Sequence, residues 1–86
     1  MMTNERRYKP RGYSYQLVQR IRSADPMHIG VKLGCLCIEK NIPVSQVAKD
    51  LRVSRLTIYS WFTGQYYPRP EKMADVQELL IRYGLK

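Results

Sequence analysis

The 86-residue sequence has few of the features that metal sites, membrane spans and active sites require. Two cysteines and a distant His28 make no metal set, and Cys35 and Cys37, two positions apart, are expected to be reduced and buried. No apolar run is long enough for a signal peptide or a membrane-spanning helix, so we expect a cytoplasmic protein. No nucleophile stands at a meaningful spacing from a base, and no glycine-rich phosphate loop is present. We therefore expect no enzyme, cofactor, metal ion, small-molecule substrate or membrane partner.

Acidic residues are also scarce. Seven Asp and Glu stand against 15 Lys and Arg, which gives a formal net charge of +8 at pH 7. The first 25 residues carry six of the basic and two of the acidic residues, so positive charge is about twice as dense there as in the rest. An excess of positive charge favours a partner with dense negative charge, and nucleic acid is the leading candidate.

The length allows one compact domain and a tail. Residues 1–24 are predicted to be a basic N-terminal arm, in which Leu17, Val18 and Ile21 stand at the spacing of a short docked helix. Residues 25–86 are predicted to form an all-α domain, so that the whole chain has four to five helices. No stretch alternates with the period of a strand.

The first well-marked helix is predicted to begin at Asp25-Pro26 and to end near Asn41. The Asp side chain can cap free amides, and proline is tolerated at the first helical position. Gly30 and Gly34 lie inside this helix, and each costs about 1 kcal/mol relative to alanine. Either they allow another backbone to approach closely, or they are simply tolerated.

Three further helices are predicted over residues 43–51, 54–63 and 70–83. Ser54 is a suitable N-cap for the middle helix, and Gly64 is a suitable stop. Val53 can pack on Ile58 as a hydrophobic staple, while Ala48 is small where two helices joined by a short turn must touch. The outer face of the helix over residues 54–63 is then free to enter a major groove.

Residues 44–64 resemble the helix-turn-helix of lambda-repressor-like, or Cro/C1-type, regulators. The similarity extends over about residues 29–68. It includes Val47-Ala48…Leu51, Val53-Ser54…Ile58-Tyr59-Ser60-Trp61, Gly64 and Pro68. The resemblance implies a lambda-repressor-like helix-turn-helix domain that binds double-stranded DNA as a transcriptional regulator. Of the regulatory roles, it favours that of a repressor. It also implies a prokaryotic or phage source.

Three positions depart from the family pattern. Arg52 occupies the turn position where the family usually has a left-handed glycine, at a cost of about 1 kcal/mol. Val44 replaces a glutamine that often contacts a phosphate. Leu56 replaces a polar residue that reads bases, and its side chain suits either a thymine methyl group or a protein partner.

The resemblance implies a set of DNA contacts. The residues expected to contact bases are Arg55, Leu56, Tyr59 and Ser60. Those expected to contact the backbone are Ser45, Gln46, Ser54, Thr57, Gln65, Tyr66, Arg69 and Lys72. The arm residues expected to reach DNA are Arg6, Arg7, Lys9 and Arg11. Each has a plainer interpretation: Arg55 can hold a phosphate, the arm can be a solubilising tail, and one of Tyr66 and Tyr67 is expected to pack on the core.

Two further alternatives concern partners. A homodimer on half-sites about 34 Å apart would give a small domain useful specificity. Its candidate surface is the apolar surplus of the last helix, at Leu79, Leu80, Ile81, Tyr83 and Leu85, although these residues can equally cover the N-terminal segment. The alternative function is an adaptor whose helix-turn-helix binds a protein, such as a polymerase or a toxin, through Leu56 and the tyrosines.

Overall fold

The computed structural model describes residues 13–84, and all regular structure in that range is helical. Five helices follow one another: α1 (Tyr15–Ser23), α2 (Ile29–Glu39), α3 (Val44–Leu51), α4 (Arg55–Phe62) and α5 (Pro70–Gly84). The all-α prediction is confirmed over these residues. The short helix expected in the N-terminal segment is present as α1.

Helix α2 begins later than predicted. Its N-cap is His28, whose Nδ1 accepts a hydrogen bond from the backbone N–H of Gly30 at 3.0 Å. The Asp25 carboxylate instead accepts from the backbone N–H of Met27 at 2.9 Å, so it stabilises the preceding turn and the prediction that it caps the helix is wrong. The helix ends within two residues of the predicted end, where Asn41 adopts a left-handed φ of 61°.

Helix α2 lies at the centre of the molecule and packs against α1, α4 and α5. A Cβ added to Gly30 would stand 2.8 Å from Cβ of Trp61, and one added to Gly34 would stand 2.9 Å from Cγ of Phe62. Real Cβ atoms do not come this close to other atoms, so the glycines are needed. The close approach of another backbone is confirmed for Gly30, which faces the carbonyl of Trp61, whereas Gly34 makes room for the side chains of Phe62 and Ile21.

The core draws side chains from every helix. Members with almost no exposed surface are Ile21, Leu33, Cys37, Val47, Ile58, Phe62 and Val76. The two cysteines of α2 differ: Cys37 is buried, but Cys35 is exposed, so the prediction that both are buried is wrong for Cys35. Positions two apart on a helix point to different sides, and only one of them faces the core.

Tyr13 ties the start of α1 to this core. Its hydroxyl donates a hydrogen bond to the carbonyl of Ile42 at 2.8 Å, and its ring lies parallel to that of Phe62 with 6.4 Å between centroids. Burial raises the pKa of the Tyr13 hydroxyl. Because Tyr13 and Ile21 are both buried, each end of α1 is held against the rest of the molecule.

Candidate nucleic-acid interface

A three-residue turn, residues 52–54, joins α3 to α4. Arg52 lies in the left-handed region at φ 58°, ψ 47°, as expected for this position despite its Cβ. The backbone N–H of Val53 donates to the carbonyl of Ala48 at 3.1 Å, and the Val53 side chain packs against the core. The turn therefore sets α4 against α3 and leaves one side of α4 outward.

Helix α4 starts at a well-formed cap. The Ser54 hydroxyl accepts a hydrogen bond from the backbone N–H of Thr57 at 3.1 Å, which confirms the predicted N-cap. Ile58, Trp61 and Phe62 are buried on the inner side of the helix. Arg55 and Leu56 are exposed on the outer side, Leu56 to 78%. One turn later, Tyr59 and Ser60 are half-buried.

Ser60 is less available as a hydrogen-bond donor than the sequence suggests. Its hydroxyl donates to the carbonyl of Thr57 at 2.7 Å, and the hydroxyls of Thr57 and Ser54 lie 3.0 Å apart in a second local bond. A hydroxyl has one proton and two lone pairs, so Ser60 keeps only an acceptor for a ligand. The donors that remain on this part of the surface are the Arg55 guanidinium, the Tyr59 hydroxyl and one hydroxyl proton of the Ser54–Thr57 pair, which uses only one of its two protons.

The segment after α4 folds back over the end of that helix. Gly64 takes a positive φ of 79°, and the backbone N–H groups of Gln65 and Tyr66 both donate to the carbonyl of Ser60, at 2.9 and 3.2 Å. Tyr66 is 66% exposed and Arg69 is also exposed. This segment therefore presents a phenol and a guanidinium beside α4.

Tyr67 stacks on a buried histidine. Its ring centroid lies 3.9 Å from that of His28, while 63% of the Tyr67 surface stays exposed. The expectation that one of the two loop tyrosines packs on the core is wrong, because both are more than 60% exposed and neither packs against the hydrophobic cluster. Nε2 of His28 has no hydrogen-bond partner within residues 13–84. The stack fixes the loop to the cap of α2.

Besides Ser54 and Thr57, two more of the residues predicted to contact the DNA backbone already have partners. The Lys72 ammonium donates to the carbonyl of Leu51, the last residue of α3, at 2.8 Å. The Gln46 amide donates to both oxygens of Asp50 at 3.3 and 3.4 Å, and Asp50 also accepts from the Tyr83 hydroxyl at 2.8 Å. Ser45 is exposed at the start of α3. The ammonium of Lys72 therefore uses one N–H group to bind the end of α3, and two N–H groups remain for a ligand.

Within residues 13–84, the largest pKa shifts belong to residues of the core. Burial raises the pKa of Cys37 to about 12. Burial, and then the hydrogen bond to Asp50, raises the pKa of the Tyr83 hydroxyl. These shifts keep neutral groups neutral inside the fold.

Two open grooves run along α4. One lies between α4 and the segment after it and has Thr57, Tyr66, Arg69 and Lys72 in its walls. The other lies between α4 and α1. Ser60 contributes to both, so the grooves are adjacent across α4. The helical spacing in the N-terminal segment predicted α1, but nothing local could show that α1 lies beside the outer side of α4.

Some predicted residues lie outside the described part of the chain. They are Arg6, Arg7, Lys9, Arg11 and Leu85. Within α5, Leu79 and Tyr83 are buried in the core, Leu80 is half-buried and Ile81 is 65% exposed. The apolar surplus of the last helix is thus largely taken up by this molecule's own core.

Residues 13–84 contain no group of three or more His, Cys, Asp and Glu side chains placed to hold a metal ion. Over the same residues, none of the helices has the length and apolar character needed to cross a bilayer. Comparisons with family models, with curated proteins and with solved structures give no match to this chain.

Proposed function

We propose that this protein binds double-stranded DNA sequence-specifically through α3 and α4, which form a lambda-repressor-like helix-turn-helix, and represses transcription by occupying an operator. The observation that carries the proposal is the outer side of α4. It pairs an exposed Arg55 with an exposed Leu56 at the capped start of a helix whose other side is buried. Burial on one side only leaves the other free to enter a major groove.

The chemistry of these side chains suits base edges. A guanidinium can donate two parallel hydrogen bonds to O6 and N7 of guanine, a contact worth about 1–3 kcal/mol of discrimination. Leu56 suits the methyl group of thymine. The acceptor of Ser60 suits the amino groups of adenine or cytosine, because its own proton is bound to Thr57. Together these contacts would read a short site.

The groove between α4 and the segment after it suits the phosphate backbone. Arg69 and the Tyr66 hydroxyl are exposed there, and Lys72 keeps two N–H groups. Contacts of this kind position a protein on the duplex and carry no sequence information. Each phosphate that the protein neutralises makes the plot of log K against log salt concentration steeper by about 0.9. The affinity for DNA should therefore fall steeply as the salt concentration rises.

The test starts with selection of bound duplexes from a random pool. On the selected site, Arg55→Ala should relax the preference at one base pair, whereas Arg69→Ala should weaken all sequences about equally. A symmetric site with half-sites about 34 Å apart would support the proposed homodimer. Equal behaviour of the two variants would mean that Arg55 only holds a phosphate, and failure to bind any duplex at low salt would overturn the proposal.

One observation favours a second candidate, an adaptor that binds a protein. Leu56, Tyr66 and Tyr67 are each more than 60% exposed, and aromatic and aliphatic side chains of this kind anchor protein interfaces. Retention on heparin or random duplex DNA separates the two functions. Retention that falls steeply with salt supports DNA binding, while its absence at low salt favours the adaptor.

A further inference from the structure

The groove between α1 and α4 is not a closed packing interface, because its side chains are incompletely buried. Helix α1 contributes Leu17 and Arg20 to it, and α4 contributes Leu56, Tyr59 and Ser60. Leu17 is only half-buried and Arg20 is exposed, although α1 is held at both of its ends. The groove therefore remains open along the same side of α4 that carries the proposed base contacts.

The charge of this groove has one sign. Among residues 13–84, Arg20 is the only charged residue in its walls, and the whole of α1 contains two arginines and no carboxylate. The charged residues in the walls of the opposite groove along α4 are Arg69, Lys72 and Glu71, two cations and one carboxylate. Cationic side chains thus stand on both flanks of α4, with the outer side of that helix between them.

This arrangement matches the geometry of a duplex. A helix lying in the major groove has one sugar-phosphate strand on each side, and the groove is about 12 Å wide. Cations on a single flank would serve one strand, whereas cations on both flanks can serve both. An interface for an apolar protein segment would not need a guanidinium on each side.

We propose that α1 is a second wall of the DNA interface and that Arg20 binds a phosphate on the strand opposite the one held by Arg69. This inference rests on the proposed function and deepens it. It assigns a DNA contact to a helix outside the helix-turn-helix. It also makes residues 13–23 part of the binding surface.

Arg22 provides a matched control on the same helix. It is also exposed and basic, but it is not in the walls of the groove. Burial raises the pKa of the Cys35 thiol and the charge of Arg22 partly opposes this, which places Arg22 towards α2. Arg20→Ala and Arg22→Ala remove the same charge from the same helix, so long-range electrostatics change equally.

The experiment measures the affinity of the full chain for its selected duplex over a salt series, together with ethylation interference on each strand. Arg20→Ala should reduce the salt slope by about 0.9 and weaken all sequences alike, while Arg22→Ala should leave the slope within error of the wild type. Interference at one phosphate should vanish in Arg20→Ala, and at a phosphate of the other strand in Arg69→Ala. Circular dichroism checks that each variant is folded.

The outcomes separate the two proposals. A wild type that binds, with equal slopes for the Arg20 and Arg22 variants, overturns this inference and leaves the proposed function intact. Loss of interference on the same strand for Arg20→Ala and Arg69→Ala also overturns it. If the wild type binds no duplex at low salt, the proposed function and this inference both fail.

Discussion

The two sides of α4 contrast sharply although they share eight residues. Ile58 and Phe62 on the inner side have no exposed surface, whereas Leu56 on the outer side is 78% exposed. The inner side packs against α2 so closely that α2 needs glycine at the point of contact. Stability and the proposed recognition therefore depend on different residues of one helix, and we expect that they can be changed separately.

The largest expected effect comes from emptying the inner side. Phe62→Ala should lower the free energy of unfolding by about 3–5 kcal/mol, because it leaves a cavity in a closed core. Leu56→Ala should change it by less than about 0.5 kcal/mol, because the side chain is exposed. Urea unfolding of both variants measures this, and a comparable loss in Leu56→Ala would contradict the contrast.

The contact between α2 and α4 can be tested with one methyl group. Alanine at Gly30 would gain about 1 kcal/mol of helix propensity, but its Cβ would overlap the backbone of Trp61. Overpacking typically costs about 1–3 kcal/mol. We expect the clash to prevail, so that Gly30→Ala lowers the melting temperature.

Gly84→Ala is the control for this change, since an added Cβ there meets nothing within 4 Å. It should leave the melting temperature unchanged or raise it slightly. If Gly30→Ala were as harmless as Gly84→Ala, α2 and α4 would not be in contact at this point.

Alkaline pH should weaken the core that the inner side of α4 shares with Cys37. The pKa of this thiol is about 12 in the folded protein, against about 8.5 for an unperturbed thiol. Folding therefore retains a proton that the unfolded chain loses. The contribution of this thiol to the free energy of unfolding is fully present below about pH 8.5. It falls by up to about 1.4 kcal/mol per pH unit as the pH rises from there towards 12.

Unfolding by urea between pH 8 and 10 measures this slope. Cys37→Ala should flatten it more than Cys35→Ser does, because Cys35 is exposed. In the folded protein at pH 8, iodoacetamide should add to Cys35 alone, and in urea to both cysteines. Equal labelling of both in the folded state would show that the core is open.

A smaller effect is expected where α4 begins. Ser54→Ala removes the acceptor for the backbone N–H of Thr57 and should cost about 1 kcal/mol. Ser45→Ala, at an exposed position of α3, should stay within about 0.5 kcal/mol of the wild type. Thermal unfolding measures the loss of stability in both variants. Equal losses would mean that the Ser54 cap does not stabilise α4.

Local signals were reliable where a residue acts on its own helix. Ser54 was recognisable as a cap because its acceptor serves an amide three residues away, and Gly64 as a stop because glycine tolerates a positive φ. Asp25 misled because the same chemistry can serve a turn, and His28 is rarely considered as a cap. Asp25 and His28 both accept a hydrogen bond from a backbone amide near the start of α2, but only His28 caps the helix.

The candidate site divides in the same way. The exposure of Arg55 and Leu56 follows from helical spacing alone. The internal partner of Lys72 does not, because Leu51 lies 21 residues away, whereas the pairing of Gln46 with Asp50 follows from their spacing of four residues on α3. A hydrogen bond between distant residues depends on how elements pack, which no local pattern encodes.

The sequence by itself determined that the protein is helical, where its helices begin and end within a few residues, and which side of α4 is apolar. These properties follow from spacing, caps and glycines acting over one or two turns. Only the tertiary structure decided that α1 lies beside the outer side of α4 and that Tyr67 stacks on His28. Each of these depends on the distance between segments far apart in the chain, and that distance is set by the packing of α1, α4 and α5 against α2.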